Sequence, residues 1–116
     1  VFTITRIYSD ANGDSHFEDF TVPLKSSGTI GFLSDAESVK GIIFREVAAS
    51  YDFDFHNAPQ KQYIILLDGG VEIETSLGTK RRFTTGEILL VEDTTGKGHK
   101  TKNLENAVRK SIFITL

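Results

Sequence analysis

The sequence predicts an all-β domain built from many short strands. Three observations carry this expectation. Apolar and polar residues alternate with period two through most of the chain. Turn clusters such as Asp10-Ala11-Asn12-Gly13-Asp14, Asp68-Gly69-Gly70, Leu77-Gly78-Thr79 and Thr84-Thr85-Gly86 separate the alternating segments. No stretch keeps apolar residues at three-and-four spacing for the ten or so residues that a helix needs. Short strands with glycine turns at close spacing read as a sandwich or barrel.

Each element follows from local chemistry. Thr3 to Ser9 alternates, with Ile4 set apart from Thr3 and Thr5, and Asn12-Gly13 supplies the positive φ of the next turn. Ser15 to Val22 is extended and ends at Pro23, which has no N–H for a ladder. Lys25 to Gly28 reads as loop. Asp35 could cap a helix over Ser34 to Val47, but Gly41 and the β-branched pair Ile42-Ile43 oppose it. A short turn at Asp35 to Ser38 followed by a strand from Val39 to Val47 is expected. Tyr51-Asp52-Phe53-Asp54-Phe55-His56 alternates strictly. Its pattern places three aromatics on one face and Asp52, Asp54 and His56 on the other. Further strands are expected over Gln62 to Leu67, Val71 to Thr75, Lys80 to Phe83, Glu87 to Val91, His99 to Asn103 and Val108 to Leu116. The loop Asp93 to Gly98 and a turn at Leu104 to Ala107 link the last three.

Composition narrows the function classes. The 116 residues are 39% hydrophobic and 25% charged, which suits one folded domain and excludes a disordered chain, a collagen or a coiled coil. Thirteen Lys and Arg against sixteen Asp and Glu give a net charge of -3, so a nucleic-acid partner is not expected. The absence of cysteine removes disulfides, thiol catalysis, zinc fingers and iron–sulfur clusters. Apolar runs such as Tyr63 to Leu67 are too short to cross a bilayer as a helix, and no membrane partner is expected. No basic-then-apolar leader opens the chain, although Val1 is not an initiator residue, and a cytoplasmic location is expected.

Several motif readings fail on spacing. Thr94-Thr95-Gly96-Lys97-Gly98 lacks the first glycine of a P-loop, where Val91 stands, and the Ser or Thr after the lysine. Lys80-Arg81-Arg82 lies beside a hairpin turn and reads as a solvated strand face. There is no G-x-S-x-G and no H-E-x-x-H. Of the three histidines, His16, His56 and His99, a lone one is more often packed or solvated than catalytic. His56 has polar neighbours at Asp52 and Asp54 on its predicted face.

The segment from His56 to Asn103 resembles the two motifs of the cupin superfamily of small jelly-roll barrels. The first motif runs His-x-His, three or four residues, Glu, six residues, Gly. Here it reads His56-Asn57-Ala58, three residues, Gln62, six residues, Gly69, so two of its four marked types are kept. The second runs Pro-x-Gly, two residues, His, three residues, Asn. Here it reads Thr94-Thr95-Gly96, two residues, His99, three residues, Asn103, with only the proline changed. The resemblance implies one cupin-type double-stranded β-helix domain over residues 1–116. Residues 1–47 would complete the barrel, 51–103 carry the motifs and 108–116 close it. It also implies a homodimer.

In typical cupins these motifs give three histidines and a glutamate to a divalent metal. The positions here are His56, Ala58, Gln62 and His99. Ala58 has no donor atom and Gln62 offers a neutral oxygen, so the resemblance implies a degraded metal site. Asp52, Asp54, Glu18 and Asp93 are the carboxylates that would have to restore it. Period two carries the pocket further. If His56 and Gln62 face inward, so do Ile64 and Leu66, and if His99 does, so do Thr101 and Asn103.

Three functions follow from the resemblance. The first is an isomerase or lyase acting on a small organic molecule, cofactor-free or only weakly metal-dependent. There His56 and His99 move the proton, while Gln62 and Asn103 orient the substrate against Thr101, Ile64 and Leu66. The second is a dioxygenase-like enzyme with Fe, Mn, Ni or Zn on His56, Gln62 and His99. The third is a non-catalytic binding protein with the same pocket. Two histidines at both motif positions favour the first.

Overall fold

A computed structural model describes all of residues 1–116. Twelve strands follow in chain order: β1 (Phe2–Ser9), β2 (Ser15–Val22), β3 (Lys25–Ser26), β4 (Phe32–Leu33), β5 (Gly41–Val47), β6 (Asp52–His56), β7 (Gln62–Leu66), β8 (Gly70–Thr75), β9 (Lys80–Thr84), β10 (Ile88–Val91), β11 (His99–Asn103) and β12 (Arg109–Thr115). The turn between β1 and β2 is tied by Asp10, whose carboxylate accepts from the N–H groups of Asn12 and Asp14 at 2.8 and 3.1 Å. That is the local bonding for which aspartate is favoured in turns.

Two large sheets face each other. The first has the order β2-β1-β10-β7-β12-β5 and the second the order β6-β11-β8-β9. All pairings are antiparallel except that of β1 with β10. Neither sheet closes on itself. The architecture is therefore a jelly-roll-like pair of sheets, where the sequence reading expected a closed barrel. Ile7, Leu66, Val71, Ile73, Phe83, Leu89 and Val91 are buried between the sheets and form the core with Ala58. Burying each large apolar side chain contributes about 1.5–3 kcal/mol.

Two local expectations fail. The segment from Asp35 to Ser38 forms no turn. Beyond β4 the chain instead runs irregularly to β5, and Lys25–Ser26, expected as loop, forms β3 and pairs with β4. The strict alternation of β6 also breaks. His99 pairs with His56, but Thr101 pairs with Phe53, so β6 carries one more residue than β11 between these two pairs. This is a β-bulge. It turns His56 onto the same face as Phe53, with ring centroids 4.0 Å apart. The sequence pattern had put these two on opposite faces.

Candidate functional site

The inward faces of both sheets enclose a cavity of about 200 Å3 at one end of the core. β7 contributes Gln62, Ile64 and Leu66, all on one face by period two. β11 contributes His99 and Thr101, and the bulged end of β6 brings His56 across to them. The His56 and His99 rings lie 4.6 Å apart, centroid to centroid. Six of the seven pocket residues expected from sequence thus line one cavity.

Asn103 is the exception and corrects the expectation. It ends β11 away from the cavity wall. Its amide donates to the carbonyls of Ala48 and Ala49 at 3.0 and 3.2 Å, and its Oδ1 accepts from Arg109 Nε at 3.0 Å. It ties two loops together and aims Arg109, which does border the cavity.

The carboxylates separate as clearly. Asp93 is fully buried and accepts the Nδ1 proton of His99, itself only 5% exposed. Glu18 instead pairs with Arg6 at 3.2 Å, and His16 with Asp10 at 2.7 Å. Asp52 faces a polar surface groove beside Glu72 and Lys102. Asp54 lends only its main chain, whose carbonyl accepts from His56 Nδ1 at 2.8 Å.

These bonds set the histidine tautomers. A carbonyl or a carboxylate can only accept, so the neutral form of each ring carries its proton on Nδ1. Each Nε2 is left with a lone pair. Burial lowers the His56 pKa below the usual imidazole value, and the charges of His99 and Arg45 push the same way. His56 is therefore neutral at pH 7. Gln62 is buried, yet its Oε1 meets no hydrogen-bond partner in the protein.

Sequence reasoning missed two cations. Arg45 on β5 and Arg109 on β12 both border the cavity. The guanidinium of Arg45 lies 5.0 Å from the centre of the Tyr51 ring and 4.9 Å from that of Phe113, while Arg109 lies 5.8 Å from Tyr51. Arg109 was legible in principle. Arg109, Ser111, Phe113 and Thr115 alternate with Lys110, Ile112 and Ile114, which places an arginine on an otherwise inward face.

The donor set fits a divalent metal poorly. Two imidazoles and one amide oxygen bring no negative charge, Ala58 brings nothing, and the two arginines oppose a dication. No group of three or more His, Cys, Asp or Glu side chains gathers at a point.

No protein-family model matches the chain, and no curated protein matches it. Solved structures do. The cupin domain of Schizosaccharomyces pombe Cnp3 aligns with a TM-score of 0.51 and 15% identity, covering 100% of this chain and 89% of that one. Drosophila melanogaster CENP-C, in its crystal structure bound to CAL1, aligns with a TM-score of 0.51 and 12% identity, covering 91% of this chain and 77% of that one. At such identities the likeness is one of architecture, and it is a likeness to the cupin fold.

Proposed function

We propose that the cavity takes a small organic molecule and that the protein performs metal-independent acid–base chemistry on it, of the isomerase or lyase type. The observation that supports this best is the buried pair of Asp93 and His99 opening on an apolar cavity. His99 Nε2 takes a proton from a carbon beside a carbonyl. The electron pair moves onto the carbonyl oxygen, where the Gln62 amide N–H meets it. Asp93 stabilises the imidazolium that forms, and the electron pair then falls back from the oxygen to take the proton from His99 at the same carbon, or at the γ-carbon where a conjugated double bond shifts with it. His56 stays neutral beside it and adds no competing charge. Ile64 and Leu66 hold the apolar body, and Thr101 supplies a hydroxyl.

The test is hydrogen exchange in D2O. Small ketones and aldehydes with acidic α-hydrogens are incubated with chelator-treated protein and followed by NMR. Exchange above the buffer rate is expected, falling at least about a hundredfold in His99→Gln, the usual scale of a lost general base. Exchange that needs added Fe, Mn, Ni or Zn would replace this reading with the metal-dependent one. Saturable binding without exchange would leave a carrier.

We propose that a homodimer forms through β5. This is the outer strand of its sheet, and it leaves Ile42 55% and Phe44 75% exposed. An exposed apolar edge is a template for pairing with another strand. A second copy joined there gives a dimer of the 12.9 kDa chain in sedimentation velocity, reduced to monomer by Phe44→Lys. A wild-type monomer at high micromolar concentration excludes it.

A further inference from the structure

We infer that the ligand of this cavity is a small carboxylate with an apolar body, its anionic end held between Arg45 and Arg109. The inference rests on the small-molecule reading above and names the class of molecule. Both guanidinium groups border the cavity, and none of the ion pairs in the protein engages either of them. Arg109 is 2% exposed. A buried cation without a counter-ion is costly, and proteins rarely retain one without a partner.

Two cations also stand where they repel each other. Both guanidinium carbons lie within 6 Å of the centre of the single Tyr51 ring. The aromatic faces of Tyr51 and Phe113 hold them in place. Asp68 is near enough to be felt by Arg109 but not to pair with it, and it accepts the main-chain N–H of Lys110 at 2.7 Å. Asn103 fixes Arg109 through Nε, and no bond within the protein occupies its terminal amino groups. Asp93 is committed to His99.

The remaining wall selects the rest of the ligand. Ten of the seventeen lining residues are hydrophobic, so a bare inorganic anion would leave most of the surface unsatisfied. Gln62 and the two histidines add a second polar cluster, and Gln62 Oε1 has no protein partner. A carboxylate at the arginines, an apolar middle and a polar group at Gln62 match these three regions. Planar guanidinium forks suit a carboxylate better than lysines would.

The test titrates 15N-labelled protein with benzoate and isovalerate, with their amides, and with inorganic phosphate. Both carboxylates are expected to move the resonances of Ile64, Thr101 and His99 saturably. The amides should bind about tenfold more weakly or worse, the usual value of a charge-assisted contact. Arg45→Gln should remove about that factor for the carboxylates and leave the amides within about twofold. Arg109→Lys keeps the buried charge and loses the fork, so it should weaken carboxylates while the spectrum stays native. Equal binding of acids and amides, or an unaffected Arg45→Gln, overturns the carboxylate assignment and leaves the small-molecule cavity standing. Phosphate binding as tightly as benzoate overturns the apolar-body part. Silence of the wall resonances toward every probe overturns both readings.

Discussion

A Gly98→Ala variant is expected to lose about 3 kcal/mol or more of folding stability and to separate the His56 and His99 rings. Gly98 lies at φ +74°, where an L side chain is strained by roughly 1–2 kcal/mol. The larger effect is steric. A Cβ at this position would overlap the main-chain carbonyl of His56 and come within 3.0 Å of Asn57 N. Main chain cannot rotate out of the way as a flexible side chain can. The bulged end of β6 would have to move off β11, and that bulge is what brings His56 to the cavity. Gly78→Ala is the control. It has φ +86° and nothing within 4 Å of its Cβ position, so it should show the conformational strain alone. Urea denaturation measures both losses, and NOEs between the two imidazoles report the geometry. Equal losses in the two variants would sink the steric account.

The same bulge marks where sequence reasoning stopped. The strands themselves were legible. Ser15 to Val22 and His99 to Asn103 form over the residues expected, eight more expected strands shift by a residue or two at their ends, and only the two-residue β3 and β4 were not foreseen. Period two and glycine turns are local signals, and the fold honours them. A bulge opposes two residues of one strand to one of its partner, so it belongs to the pairing and does not show in one strand's alternation. Nothing in Tyr51 to His56 announces that an extra residue will be absorbed between Phe53 and His56. The motif resemblance put His56 at the cavity, while alternation taken alone put it on the face opposite Phe53.

Other parts of the site divide in a similar way. Gln62, Ile64 and Leu66 share one unbroken strand, so the facing of one gives the facing of all. Thr101 follows His99 for the same reason. Asn103 obeys the period but sits at the strand end, where loop carbonyls of Ala48 and Ala49 capture its amide. Arg45 and Arg109 come from strands outside both motifs. Their meeting depends on β12 lying between β7 and β5, a long-range pairing that no local pattern encodes. Asp93 was one of four carboxylates with equal standing in the sequence. Only the packed loop before β11 shows that its side chain, and not that of Asp52 or Asp54, reaches an imidazole.

Asp93→Ala is expected to cost about 3 kcal/mol and to release the tautomer of His99. The carboxylate is fully buried and accepts the Nδ1 proton of a ring that is itself nearly inaccessible. Truncation leaves that N–H without an acceptor in the interior, which costs the desolvation of the donor as well as the lost bond. The main-chain role of Asp93 is untouched, since its carbonyl still accepts from Ala58 N at 3.1 Å. Asp93→Asn separates charge from bonding. An amide oxygen can still accept from Nδ1, so this variant should lose only about 1 kcal/mol and keep the proton on Nδ1. It should nevertheless lose most of the α-hydrogen exchange, because a neutral amide does not stabilise an imidazolium as a carboxylate does. Urea denaturation and long-range 1H–15N spectra of the ring nitrogens read the two effects apart. If Asp93→Ala is as stable as wild type, or if wild-type His99 holds its proton on Nε2, the pair is not what orients the base. If Asp93→Asn exchanges α-hydrogens at the wild-type rate, the carboxylate only positions the ring, and the basicity of His99 must come from elsewhere in the cavity.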